Sequence, residues 1–176
     1  MRLFAIVDIE STGSVANQDK ITEIAVIITD GEKEIDRFET LINPQQPITP
    51  FVVRLTGITN EMVKEAPLFK EVAEGLFELL KGKVFVAHNV NFDYKFIKQA
   101  FFDCGIRFDE KRLCTVRLSR EIFPGMASYS LGKLTRGLGI GLNNAHRAMP
   151  DTEATTKLFE LMYQKNLAFI EASLKA

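Results

Sequence analysis

Neither sign of charge dominates this chain. It has 22 Lys and Arg against 23 Asp and Glu, a formal net charge of −1. That excludes a protein that coats duplex nucleic acid non-specifically, which requires a basic face. It leaves room for a local site that grips one strand end through cations. Long hydrophobic runs are also missing. No stretch approaches the roughly 20 apolar residues of a membrane helix, so no membrane partner is expected. The apolar run at Leu3–Val7 is too short for the core of a secretory leader. Cysteine is scarce: Cys104 and Cys114 sit ten apart, with no metal-type spacing. The expectation is a reduced, cytoplasmic setting.

What is present fits one ordinary domain. A chain of 176 residues can build a real core but not two comfortable ones. Apolar residues make up 46% and charged residues 26%, the balance of a soluble globular fold. The expectation is a single domain over residues 1–176, whether free-standing or cut from a longer protein.

The pattern along the chain predicts a mixed α/β architecture. Leu3–Ile9 reads as a central strand, ended by Ser11-Thr12-Gly13. ITEIAVIIT at 21–29 reads as a second strand and Lys33–Ile42 as a third, joined by the hairpin signal Asp30-Gly31. Residues 43–60 hold three of the six prolines and read as a long, functional connection. A helix is predicted at about 68–81, where Phe69, Val72, Ala73, Leu76, Phe77 and Leu80 recur at helical spacing. KVFVA at 83–87 is a short buried strand, followed by an amphipathic helix over 92–104. A strand near 112–115 and helices at about 116–122, 130–138 and 151–172 complete the chain. Three antiparallel strands followed by strand–helix alternation imply a mixed sheet covered by helices.

Acids punctuate this framework. Asp8 and Glu10 stand two apart at the end of the first strand and therefore share a face. Adjacent carboxylates repel and are costly to desolvate without compensation. Asp93 follows the buried strand at 84–87, early in the next helix. Taken alone it is an ordinary first-turn acid complementing the helix dipole, with Asn89 or Asn91 as the cap. Asp151 is the same kind of residue at the start of the last helix. The only two histidines, His88 and His146, precede the helices that carry Asp93 and Asp151. Five residues span about 140° of helical turn, so His146 and Asp151 cannot share a helical face, and His146 is expected on a loop or an irregular first turn.

Together the four acids sit at strand ends and helix starts, where open α/β sheets place their sites. Two divalent cations about 3.5–4 Å apart would balance four carboxylates and suit phosphodiester chemistry. Oxygen ligands favour Mg²⁺ or Mn²⁺ over zinc. Histidine is the natural proton acceptor near neutral pH.

DIESTG at 8–13, HNVNFD at 88–93 and HRAMPD at 146–151 resemble the three exonuclease motifs of the DEDD superfamily. The His-x4-Asp spacing of the third resembles its DEDDh branch. LTGIT at 55–59 and SYSLGKL at 128–134 extend the likeness, which runs from Phe4 to about Leu161. The nearest resemblance is to the epsilon-type proofreading exonucleases of bacterial DNA polymerase III and their free-standing relatives.

The resemblance implies an RNase H-like fold and 3′→5′ removal of nucleoside 5′-monophosphates from DNA, in replication or repair. It implies Asp8, Glu10, Asp93 and Asp151 as ligands of two Mg²⁺ or Mn²⁺ ions and His146 as general base. It implies that Thr12 and the loop around Leu55 and Thr56 touch the terminal nucleotide, with Phe92 packing near it. The implied partners are a single-stranded DNA 3′ end and a DNA polymerase or other replication or repair subunit. The first motif has Ser11 where Thr is usual, and Thr56 stands where His is frequent. Two readings stay open beside this one: the same chemistry on RNA, and a non-catalytic module that docks on a polymerase.

Overall fold

The computed structural model describes residues 2–143 and 145–175. Strands β1 (Phe4–Ser11), β2 (Ile21–Thr29) and β3 (Glu34–Leu41) form an antiparallel meander. Helices α1 (Pro50–Thr56), α2 (Asn60–Lys64) and α3 (Phe69–Leu80) follow, then β4 (Val84–Ala87), α4 (Asn91–Asp103) and β5 (Arg112–Cys114). Helices α5 (Thr115–Ile122), α6 (Leu131–Gly137) and α7 (Ala148–Ser173) close the chain. The sheet order is β3-β2-β1-β4-β5, with β1, β4 and β5 parallel. The expected mixed α/β architecture is present.

Alternation along β1 explains the layering. Ala5, Val7 and Ile9 point into one core with Leu76, Leu80, Ile97 and Phe101 of α3 and α4. Phe4 and Ile6 point into a second core with Leu118, Leu134, Leu158 and Phe159 of α5, α6 and α7. A strand covered on both faces is buried at every position, as β2 is. The edge strand β3 is exposed and charged, which discourages further strand pairing.

The β2–β3 hairpin needs glycine at its tip. Gly31 has φ +100°, and a Cβ there would lie 2.6 Å from the Tyr163 ring of α7. Helix α7 runs on to Ser173 with a non-helical break at Asn166, whose side chain accepts the N–H of Phe169.

Three expectations are corrected. Residues 43–60 are not an irregular connection: Thr49 caps α1 by accepting the N–H of Val52, and Thr59 caps α2 by accepting that of Met62. Neither Asn89 nor Asn91 caps α4. Val90 is its N-cap residue without a side-chain bond, and Asn89 instead takes φ +71°. Helix α7 begins at Ala148 rather than 151, so Pro150 lies inside the first turn, where its missing N–H costs nothing.

Candidate active site

Asp8 and Glu10 continue the face of β1 that carries Phe4 and Ile6, so both point towards the α7 side of the sheet. The start of α7 sits on β2, where Ala148 and Met149 pack on Ala25 and Ile27. This contact brings Asp151 to the strand end. Carboxylate oxygens of Asp8, Glu10 and Asp151 lie within 4.8 Å of one another.

Asp93 of α4 lies outside that trio but beside it: it is 3% exposed and its charge acts on Asp8 and Glu10. The β1–β4 ladder covers only Phe4–Ile6, which leaves the N–H of Ile9 beyond it. Asp93 Oδ1 accepts that N–H at 3.2 Å. The acid thereby substitutes for a strand partner between Asp8 and Glu10.

The electrostatics are adverse throughout. Burial raises the Asp8 carboxyl well above its ordinary value, and the charges of Asp93, Asp151, Glu10 and Glu23 add to it. Glu10 is pushed up to about 8 by burial, then by Asp151, Glu23 and Asp93. Burial pushes Asp93 up to about 7, against the opposing bond from Ile9. Asp151 is raised by burial, and its Oδ1 is buried with no hydrogen-bond partner. An orphaned carboxylate oxygen facing two further carboxylates is a donor set that fits a hard divalent cation, and an all-oxygen set suits Mg²⁺ or Mn²⁺.

His146 lies two residues ahead of α7, as its spacing from Asp151 predicts. It is exposed, with φ +67°, and its main-chain N–H donates to Asp151 Oδ2 at 3.1 Å. His88 behaves differently. It is half-buried, with Nδ1 2.9 Å from Thr115 Oγ1 and Nε2 2.9 Å from the Tyr129 carbonyl. Burial lowers its pKa, and a neutral ring donating from Nε2 ties β4 to the segment before α6.

The expected nucleotide contacts fare unevenly. Thr12 is buried and turned into its own turn. Its hydroxyl accepts the N–H of Lys20 and a bond from Gln46 Nε2. Leu55 is 45% exposed, but it lies in the last turn of α1 rather than on a loop. Thr56 is 4% exposed; its hydroxyl donates to the Val52 carbonyl and accepts the N–H of Ile58. Both bonds stabilise the end of α1. Phe92 is half-buried with its ring 5.0 Å from that of Phe96.

Two residues beside the cluster were given no role by the sequence, although Arg147 lies within the third motif. Glu23 is 1% exposed within an apolar strand, and Arg147 Nη2 donates to its Oε1 at 2.6 Å. The signal for Glu23 was the one that exposed Asp8: an acid in a segment that otherwise reads as buried.

The fold is thus a mixed sheet with an acid cluster at the end of its central strand. An exonuclease family model, RNase_T, matches residues 5–159, and the chain belongs to that family. It is 40% identical over 183 residues to the 3′-5′ exonuclease DinG of Staphylococcus epidermidis, covering 98% of this chain and 20% of that protein. It is 41% identical over 162 residues to the PolC-type DNA polymerase III of Caldanaerobacter subterraneus, covering 92% of this chain and 12% of that one. The chain thus spans a fifth or less of these two relatives. Among solved structures, exonuclease I superposes with TM-score 0.85 at 22% identity, over 98% of this chain and 43% of that one. Exonuclease X in complex with 5′ overhanging duplex DNA gives 0.79 at 25% identity, over 98% of both chains. These likenesses bear out the RNase H-like fold. Among the described residues no helix is long and apolar enough to cross a membrane.

Proposed function

We propose that this domain is a 3′→5′ exonuclease that hydrolyses the last phosphodiester of a single-stranded or frayed DNA 3′ end. Water adds to phosphorus, the bond to the 3′ oxygen breaks, and a nucleoside 5′-monophosphate leaves. The observation that carries the reading is the convergence of Asp8, Glu10 and Asp151 within 4.8 Å at the end of the central strand, in an exonuclease-family chain. The relatives named as 3′-5′ exonuclease and as DNA polymerase, with the structural neighbour in complex with duplex DNA, support DNA as substrate; a role in proofreading or repair is part of the same proposal.

Asp8, Glu10 and Asp151 would hold two divalent cations, with Asp93 completing the set. Such a pair, when bound, supplies Lewis acidity to the attacking water and to the departing 3′ oxygen. The residues do the rest. Asp93, fixed by the N–H of Ile9, holds its carboxylate against β1. His146 takes the proton of the attacking water on an imidazole nitrogen. Asp151 Oδ2, bonded to the His146 N–H, keeps that residue beside the cluster. Near-neutral net charge fits an end reader that relies on a few contacts and base stacking, worth about 1–3 kcal/mol per base. Frayed or mismatched ends enter more readily because they have less pairing to lose.

The test is incubation with a 5′-labelled single strand and Mn²⁺, with a chelator control. A ladder of products shortened from the 3′ end is expected, and its loss on chelation. Matched DNA and RNA strands separate the two substrate classes. An inert protein under all these conditions would leave only the docking-module reading.

A further inference from the structure

The start of α7 is capped from outside its own chain segment. Its N-cap residue, Arg147, supplies no side-chain cap bond. The first helical N–H, on Ala148, instead donates to Glu23 Oε2 on β2 at 2.8 Å. Arg147 folds back onto the same carboxylate: Nη2 to Oε1 at 2.6 Å, and Nε to both oxygens at 3.1 Å. Glu23 is therefore a buried acid with both oxygens engaged. Its strand position is directly opposite Glu10 in the β1–β2 register.

Such a pair adds little net stability over apolar residues of similar volume, but it adds direction. The guanidinium fork fixes the carboxylate, and the carboxylate fixes the helix start. His146 precedes Arg147 and bonds Asp151, and Asp151 N–H donates to the Arg147 carbonyl at 3.1 Å. Arg147 thus stands between the two motif residues and ties both to the rung that carries Glu10.

We propose that Glu23 and Arg147 are positioning residues: a clamp that sets Asp151 and His146 against Asp8 and Glu10. The inference rests on the metal-dependent reading of the site. Groups that orient ligands in this way typically contribute 10–100-fold to metal affinity or activity.

The test uses the full chain and the variants Glu23→Gln, Arg147→Lys and Arg147→Gln. Without metal or DNA, hydrogen exchange at the amides of Ala148 and Asp151 should accelerate roughly tenfold, the scale of one bond to a charged group. Calorimetric titration with Mn²⁺ should show about 10–100-fold weaker binding. On a single-stranded oligonucleotide kcat should fall in proportion while KM stays within about twofold of wild type. Lysine keeps the charge but not the fork, so Arg147→Lys should not rescue. Wild-type exchange in the folded lysine or glutamine variants overturns the clamp, whatever the enzyme does. A loss confined to KM also overturns it, by making Arg147 a phosphate contact. If wild type neither binds Mn²⁺ nor cuts DNA, the site reading fails, and the exchange rates still decide the clamp.

Discussion

Asp93 Oδ1 accepts the main-chain N–H of Ile9, the peptide that separates Asp8 from Glu10. The bond ties a helix acid to the central strand, and it separates two roles of that acid. Asp93→Asn keeps an oxygen for Ile9 and should fold normally while losing most turnover. Asp93→Ala leaves a buried N–H without a partner and should also lose about 1–3 kcal/mol of stability. Chemical denaturation beside the exonuclease assay distinguishes the two, and equal stability for both variants would contradict the bond's role.

Asp8 carries the heaviest electrostatic load, since burial and four neighbouring carboxylates all oppose its charge. Asp8→Asn should therefore raise the melting temperature of the metal-free protein while abolishing hydrolysis. A variant that is inactive and less stable than wild type would contradict this electrostatic account of Asp8.

The raised carboxyls also dictate a pH dependence. Glu10 moves from 4.5 to about 8 and Asp93 from 3.8 to about 7, so the folded state binds more protons than the unfolded chain between those limits. Stability then falls as pH rises. The metal-free protein should be most stable below about pH 4 as far as these groups are concerned, and should lose that contribution as pH rises through about 8. Saturating Mn²⁺ should oppose the loss, because it binds the ionised forms. Melts at pH 5.5 and 8.5, with and without Mn²⁺, read both effects; a metal-free melting point that rises over that interval contradicts the assignment.

Much of this was legible in the sequence, for identifiable reasons. β2 was bounded at Ile21 and Thr29 because an apolar, β-branched run is closed there by the Asp30-Gly31 turn. The facing of Asp8 and Glu10 followed from strand alternation alone. Helices α1 and α2 were not legible: at 7 and 5 residues they are too short to establish a period. Thr49-Pro50, a cap followed by proline at the first position, was the signal available. The Glu23–Arg147 pair was hidden for another reason. Its partners are 124 residues apart, and only the packing of α7 on β2 joins them.

Thr56, expected at the substrate, holds the end of α1 by two internal bonds. Thr56→Val should cost about 1–3 kcal/mol in denaturant titrations, since it leaves the buried N–H of Ile58 unpaired. KM for a single-stranded oligonucleotide should stay close to wild type at a temperature where the variant is folded. A KM rise without loss of stability would place Thr56 at the nucleotide.

His146 is held by its main chain and leaves its imidazole exposed, which makes the ring removable without touching the core. His146→Ala should lower the hydrolysis rate by roughly 10²–10⁴, the usual worth of a positioned base. The backbone complicates that variant, because φ +67° strains any residue with a Cβ, and histidine occupies that region more readily than alanine. His146→Gly removes the ring and relaxes that constraint. If the imidazole is the base, glycine should restore no activity even where it restores stability. If the rate loss in the alanine variant came from a shifted Asp151, glycine should recover a large part of it. Single-turnover rates for the two variants, with their melting temperatures, decide between proton transfer and the placement of Asp151.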